Sequence, residues 1–266
     1  MKIRHFISLF KILGLTLILS GMGISQSFGN ESVREFYQLK IYHLKDLKQQ
    51  GRVEKYLKDA LLPALHRLGI NKTGVLKNLD GDTTGLKIYI LIPFKSMDEL
   101  LQLPDLLKKD KVYTVAGSDY LDAPFDNPPY ARFETIILKS FKDMPVMEVP
   151  VLPTPRSERI YELRSYESAT EKIHQTKLKM FNEGGEIGIF KHIGSKPVFF
   201  GQVIAGSHMP NLMYLTAYAD KASREEHWNI FRQLPEWKKL SAIPEYLNVV
   251  SGKDIIFLYP TDYSDF

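Results

Sequence analysis

Two segments of the sequence share one pattern, and together they decide the fold. Residues 161–166 read YELRSY, and residues 37–42, which lie 124 positions earlier, read YQLKIY. Two further similarities follow in the same order along the chain, namely GVLKN at 74–78 with GIFKH at 188–192, and LPD at 103–105 with LPE at 234–236. Three similarities in one order predict a chain that is built from two related halves.

Each half is predicted to fold as strand, helix, strand, strand, helix, strand. In the first half, the alternating residues 35–43 indicate a strand, and the apolar spacing of residues 53–68 indicates a helix. In the second half, residues 159–166 and 186–192 are predicted to be strands, and residues 169–181 a helix. Two βαββαβ units predict an α+β fold, in which each half is a ferredoxin-like antiparallel sheet with helices on one face.

The first 29 residues are predicted to be a signal peptide. Basic residues precede an apolar run at 12–24, and small residues follow it, as in a secretory leader. The run has about 13 residues, whereas roughly 20 are needed to span a bilayer. We therefore expect cleavage near Ser27 or Gly29, export to the periplasm or the extracellular space, and no stable membrane insertion of the mature protein.

The rest of the chain is expected to contain two units and a linker. The first and degenerate unit covers residues 30–143, and the second covers residues 158–266. Residues 144–157 between them contain four prolines. Because proline fixes φ and lacks a backbone donor, we expect this linker to be extended and semi-rigid.

Charge and composition exclude several classes of function. The sequence has 35 basic and 31 acidic residues and a net charge of +4, but three basic residues and no acidic ones lie within residues 1–29. Residues 30–266 are therefore nearly neutral and lack the excess of basic residues that is typical of nucleic-acid-binding proteins. Cysteine is absent, which excludes disulfides and a cysteine nucleophile. The histidines lack metal-ligand spacing, and we predict no metal and no other cofactor.

The alternation of the predicted strands collects polar and aromatic side chains on one face of each sheet. Two sheets that pack face to face would enclose these side chains in a polar pocket with aromatic walls, the usual character of a small-molecule site. The candidate ligand-binding residues are Glu162, Arg164, Tyr166, Glu186, Phe190, His192, Tyr214, Tyr218, Lys40 and Tyr42.

Other interpretations of these residues stay open. Glu162 and Arg164 would also fit a buried ion pair that fixes how the sheets pack, and the tyrosines would also fit a core. The sequence does not decide whether the protein is an enzyme. If it is one, the candidate general base is His192 or Glu186, and Arg164 is the candidate clamp for an anion.

The second half resembles the NIPSNAP family. The resemblance rests on YELRSY at 161–166, GIF at 188–190, YLTAY at 214–218, Arg224 and PEW at 235–237, and the first half resembles a degenerate copy. It implies the dimeric α/β-barrel fold, in which two ferredoxin-like units pack sheet to sheet, here within one chain. Many members carry His and Trp where this sequence has Tyr214 and Thr216. The family has no settled enzymatic activity.

Two functions from different classes follow. The first is a binding module of the exported NIPSNAP type that holds a small organic ligand in the barrel between the two sheets. The alternative is a cofactor-independent or haem-linked monooxygenase, by analogy with other dimeric α/β-barrel proteins. The expected partner is a small molecule, and the formation of a homo-oligomer stays open.

Overall fold

The computed structural model describes residues 33–78 and 85–266. The predicted signal peptide at residues 1–29 lies outside the described residues. Among the described helices, none combines the length and the apolar character that crossing a bilayer requires.

In the described part of the chain, eight antiparallel strands close into a barrel in the order β1-β3-β2-β8-β5-β7-β6-β4. The strands are β1 (Phe36–Leu44), β2 (Gly74–Asn78), β3 (Leu86–Phe94), β4 (Arg132–Ser140), β5 (Ile160–Glu167), β6 (Lys196–Ala205), β7 (Asn211–Tyr218) and β8 (Gly252–Pro260). The first four strands are neighbours in the order β4-β1-β3-β2, and the last four repeat this order as β8-β5-β7-β6. The pairs β2–β8 and β4–β6 join the two sets and close the barrel. The fold is therefore α+β with a closed antiparallel barrel.

The helices lie between the strands of each set. They are α1 (Leu47–Tyr56), α2 (Leu62–Arg67), α3 (Met97–Lys109), α4 (Lys111–Ala116), α5 (Ser118–Leu121), α6 (Glu171–Phe181), α7 (Glu186–His192), α8 (Lys221–Gln233) and α9 (Pro235–Ser241). The side chains of Asp46, Ser96, Thr170 and Asp220 cap α1, α3, α6 and α8 by accepting a backbone hydrogen bond. These caps satisfy amide groups that a helix leaves unpaired at its start.

A π-helical turn joins the first two helices. It covers Leu57–Leu61 and ends two residues before Pro63. The ring of a proline inside a helix clashes with the carbonyl group four residues earlier, here that of Asp59. A widened turn at this point lets the chain continue as a helix past Pro63.

Three apolar clusters build the interior. One fills the barrel and takes side chains from all eight strands, including Leu39, Leu91, Leu163 and Leu215. A second lies between the outer face of β1–β3 and helices α1–α5, and the third lies between the outer face of β5–β7 and helices α6–α9. These strands are thus covered on both faces, whereas β4 and β8 carry several exposed residues.

The barrel interior is closely packed around the ring of Phe266. This ring lies 5.8 Å from that of Tyr161, measured between ring centroids. A Cβ atom on Gly74 would come within 2.0 Å of the Phe266 ring. Only glycine therefore leaves room for this ring in the core.

The prediction of a strand at residues 186–192 is wrong, because these residues form helix α7. Gly185, which precedes the helix, has a φ of 82°, a value that glycine adopts without strain. This turn starts a helix whose buried residues include Ile187 and Phe190. The second strand of this half is instead β6. A short apolar run fits a strand or a buried helix equally well by periodicity alone.

Candidate functional site

The polar and aromatic face of the second sheet lies outside the barrel and against the helices. Leu163 and Leu215 point into the barrel core, whereas Tyr166 and Tyr214 pack with the cluster formed by α6–α9. The predicted enclosure of this face between the two sheets is therefore wrong. Alternation sorted the side chains into two sets correctly, but the apolar set fills the barrel and the polar set meets the helices.

A pocket of about 750 Å³ opens on this outer face, between β5, β7 and β8 and helices α6, α8 and α9. It is the natural candidate site because cationic and aromatic side chains converge on it. Its lining residues are Arg164, Tyr166, Lys177, Glu186, Tyr214, Arg224, Trp228, Phe231, Arg232, Trp237, Val250, Ser251, Gly252, Lys253 and Ile255.

Glu162 organises the cationic side of the pocket. Its carboxylate is fully buried and accepts hydrogen bonds from Arg164 Nε, from Arg224 Nε at 2.6 Å and from Trp228 Nε1 at 3.1 Å. A buried carboxylate needs such partners, because an unpaired buried charge is strongly destabilising. The predicted ion pair of Glu162 and Arg164 is thus present, and it holds two arginines and a tryptophan in fixed positions.

Arg164 presents a guanidinium group to the pocket. Its Nη1 donates to the Tyr166 hydroxyl at 2.8 Å, and its guanidinium carbon lies 3.8 Å from the centroid of the Trp228 ring. No described residue accepts a hydrogen bond from the other terminal nitrogen, Nη2. A ligand in the pocket can therefore take this donor, in the planar geometry that suits a carboxylate.

Tyr166 and Tyr214 place two hydroxyl groups beside Arg164. The hydroxyls share a hydrogen bond of 3.0 Å. Burial raises the pKa of Tyr214 well above its ordinary value, so this phenol stays protonated at neutral pH. Tyr214 therefore offers a neutral hydroxyl group to a ligand rather than a phenolate.

Lys177 and Glu186 form a second buried ion pair in the pocket. Lys177 Nζ lies 3.0 Å from Glu186 Oε2, and both side chains are about 95% covered. Burial raises the pKa of Glu186, and the nearby Lys177 ammonium partly offsets this effect. Since both charges are paired, this part of the wall is polar but electrically balanced.

Aromatic rings form the part of the wall that adjoins Arg164. The rings of Trp228 and Phe231 lie 5.3 Å apart, and those of Phe231 and Trp237 lie 4.7 Å apart, between centroids. They come from α8 and α9 and present a continuous apolar surface. Such a wall suits the flat or aliphatic body of an organic molecule.

The charge of the lining is predominantly positive. Five cationic side chains line the pocket, whereas Glu186 is the one carboxylate among the described lining residues. Two of the cations, Arg232 and Lys253, are exposed. Even with the buried Glu162 included, the cations outnumber the carboxylates. The pocket is therefore suited to an anionic molecule.

Four of the ten predicted ligand-binding residues line this pocket, namely Arg164, Tyr166, Glu186 and Tyr214. Glu162, Phe190 and Tyr218 are buried in the surrounding core, and Lys40 and Tyr42 belong to the first half. The His192 side chain is 65% exposed, lies 3.7 Å from Glu236 and does not line the pocket. Its candidacy as a general base was based on a strand that does not exist.

The prediction missed the residues that the helices contribute. Arg224, Trp228 and Phe231 are spaced by four and three positions along α8 and therefore share one helix face. The same spacing is typical of a buried apolar face, and it does not show whether that face covers a core or a pocket. Lys177, which lies on α6, carried no sequence signal of its own.

Residues 161–265 match the NIPSNAP family model. The second half of the chain is therefore similar to NIPSNAP domains. This match confirms the resemblance that the motifs indicated, and it covers every residue that lines the pocket. No curated protein matches the chain.

Solved structures share the fold of the chain. A candidate monooxygenase from Lactobacillus acidophilus matches with a TM-score of 0.53 at 11% identity, over 85% of this chain and 94% of that chain. A candidate monooxygenase from Fusobacterium nucleatum matches with a TM-score of 0.52 at 8% identity, over 86% and 93%. A NIPSNAP family protein from Agrobacterium tumefaciens, 22% identical, matches 40% of this chain and 96% of its own length with a TM-score of 0.35. At these identities the likeness concerns the fold alone.

Proposed function

We propose that the NIPSNAP domain binds a small organic anion in the pocket between its sheet and helices α6, α8 and α9. The observation that carries this proposal is the arrangement of Arg164, whose guanidinium group lies against Trp228 and keeps one terminal nitrogen without a described partner. A carboxylate would accept from this nitrogen, and the apolar body of the ligand would lie along Phe231 and Trp237.

The energetics favour an anion over a neutral ligand. A hydrogen bond to a charged group is worth about 1.5–3 kcal/mol, and the guanidinium group is already held in place by Glu162 and Tyr166. A preorganised donor loses little entropy when the ligand binds. The volume of about 750 Å³ is within the usual range of small-molecule sites.

The proposal includes an architecture for the whole chain. The two halves would be tandem ferredoxin-like units that pack as an intrachain dimeric α/β barrel, with residues 30–143 and 158–266 as the units and residues 144–157 as the linker. The repeated strand order supports this division. The protein would be exported after cleavage near Ser27 or Gly29, as the N-terminal sequence pattern indicates.

Tryptophan fluorescence tests the proposal directly, because both tryptophans of the chain, Trp228 and Trp237, line the pocket. Titration with 4-phenylbutanoate should change the emission and saturate. The uncharged 4-phenylbutan-1-ol should bind about tenfold more weakly, because it cannot form the charge-assisted hydrogen bond to Arg164.

Two variants complete this experiment. Arg164→Lys keeps a cation beside Glu162 but loses the planar fork, and it should weaken 4-phenylbutanoate binding about tenfold. The matched control Lys191→Gln removes a positive charge from α7 outside the pocket and should leave the affinity unchanged. Equal affinities for the acid and the alcohol, or an unchanged affinity in Arg164→Lys, would contradict the proposal.

A second candidate function is an oxygenase that uses the same pocket, as the fold shared with the two candidate monooxygenases suggests. A cofactor-independent reaction needs a substrate that supplies all four electrons that reduce O2. A CH2 group then becomes C=O with one oxygen atom of O2, and the second oxygen atom leaves as water with the two hydrogens of that group. Glu186, whose pKa is raised by burial, is the candidate base. The haem-linked version would need an axial ligand, for which the described lining offers Tyr166 and Tyr214 but no histidine.

Oxygen uptake distinguishes the two functions. Phenolic aromatic compounds with an activated methylene group should drive O2 consumption if the protein is an oxygenase, and Glu186→Gln should reduce the rate. Saturable binding without O2 consumption supports the binding module.

A further inference from the structure

The first half of the chain has a pocket of its own on the outer face of the barrel. It measures about 430 Å³ and lies between β1, β3 and helices α3 and α4. Its walls include the apolar side chains of Ile92, Leu103 and Leu107 and the rings of Tyr56 and Tyr113. The hydroxyls of these two tyrosines share a hydrogen bond of 2.8 Å. The pocket is thus largely apolar with a polar edge.

One lysine inside this pocket lacks a negatively charged partner. Lys40 lies on β1 at the position that Arg164 occupies on β5, and the position of Glu162 is taken by the neutral Gln38. The first half therefore keeps the cation of the second half but not the carboxylate that pairs with it. Among the described residues, no carboxylate forms an ion pair with Lys40.

The surroundings of Lys40 are aromatic. Its Nζ atom lies 4.9 Å from the centroid of the Phe133 ring and 6.0 Å from that of Tyr42. The other charged residues that line the pocket, Lys108 and Asp122, are exposed at its rim. Burial lowers the pKa of Lys40, as expected for a cation that has no carboxylate beside it.

We propose that this pocket is a second ligand site, which binds an amphipathic organic carboxylate. The carboxylate would pair with the ammonium group of Lys40, and the apolar chain would lie against Leu103 and Leu107. A partly buried cation without a counter-ion gains from an anionic partner. The site lies in the other half of the chain and is independent of the pocket proposed above.

Isothermal titration calorimetry with octanoate tests this second site. Since both tryptophans line the other pocket, octanoate bound beside Lys40 should produce heat without a change in tryptophan emission. Lys40→Met should weaken this component about tenfold or more, because the ion pair is lost. Octan-1-ol, which is uncharged, should bind the wild-type protein as weakly as octanoate binds Lys40→Met.

Two further variants make the test specific. Gln38→Glu restores the carboxylate that the second half carries, and the resulting internal pair with Lys40 should reduce octanoate affinity about tenfold. The matched control Lys109→Gln removes an exposed charge from α3 outside the pocket and should change the affinity by less than about twofold. Gln38→Glu keeps the size of the side chain and changes only its charge. It therefore tests the second site even if Lys40→Met fails to fold.

The outcomes separate the two sites. The second site is supported if octanoate produces heat without a change in tryptophan emission, and if both Lys40→Met and Gln38→Glu weaken this binding. Octanoate binding that always changes tryptophan emission overturns the second site and leaves the pocket of the NIPSNAP domain standing. The absence of octanoate binding, or equal binding in wild type and Gln38→Glu, overturns it as well.

Discussion

At the scale of single residues, the candidate site depends on Glu162. It accepts hydrogen bonds from Arg164, Arg224 and Trp228, three residues that line the pocket, while its own carboxylate stays fully buried. Its role is to position these groups rather than to touch a ligand. Gln38 at the matching place in the first half removes that constraint, so the two pockets differ in the charge available to a ligand.

His174 supports a prediction about pH. Its side chain is 2% exposed, and no described residue forms a hydrogen bond with either ring nitrogen. Burial lowers the pKa of His174 below its ordinary value of 6.5. The unfolded chain therefore binds a proton more readily, and stability is lost as the pH falls below about 6.5.

His174→Met should remove this loss. We expect the variant to be more stable than the wild-type protein at pH 5, and the advantage to shrink at pH 8, where both proteins carry a neutral side chain at this position. Urea unfolding at the two pH values measures the difference. A stability advantage that is the same at both pH values would contradict a difference in the pKa of His174 between the folded and unfolded states.

At the scale of elements, the strands and helices with strong local signals were predictable. The strand β5 and the helix α6 form within two residues of the bounds that the sequence indicates. Helix α7 was not predictable, because seven residues with a mixed pattern satisfy both periods and the similarity of residues 188–192 to 74–78 favoured a strand. Tertiary packing, rather than local preference, decides such short elements.

Helix α8 can be tested through its cap. Asp220 accepts from Ser223 N at 2.7 Å, and the Ser223 hydroxyl accepts from Asp220 N at 3.1 Å. Asp220→Ala should cost about 1 kcal/mol of unfolding free energy. Because α8 carries Arg224 and Trp228 in its first turns, Asp220→Ala should also weaken 4-phenylbutanoate binding.

Asp46→Ala is the matched control. Asp46 caps α1 in the first half by accepting from Gln49 N at 2.8 Å, so its removal should cost a similar free energy and leave the tryptophan titration unchanged. Chemical unfolding and fluorescence titration of both variants provide the comparison. Equal effects of the two variants on binding would contradict the claim that α8 positions residues of the ligand site.

At the scale of the whole molecule, the sequence predicted two related halves and the α+β class, but it placed the polar and aromatic face of the second sheet on the wrong side, between the sheets. The reason is visible in β7, where every residue is buried. A strand that is covered on both faces does not reveal by its alternation which face meets the helices. Tyr161 and Tyr37 lie inside the barrel, while Tyr166 and Tyr214 lie outside it, although all four residues are tyrosines.

The most direct test of the central claim is a crystal structure of the protein with bound 4-phenylbutanoate. We expect electron density for the carboxylate beside Arg164 Nη2 and for the phenyl ring against Trp237, outside the barrel. Density for the ligand inside the barrel, among Leu39, Leu163 and Phe266, would contradict the account. Crystals that show the ligand nowhere near Arg164, at concentrations that saturate binding in solution, would contradict it equally.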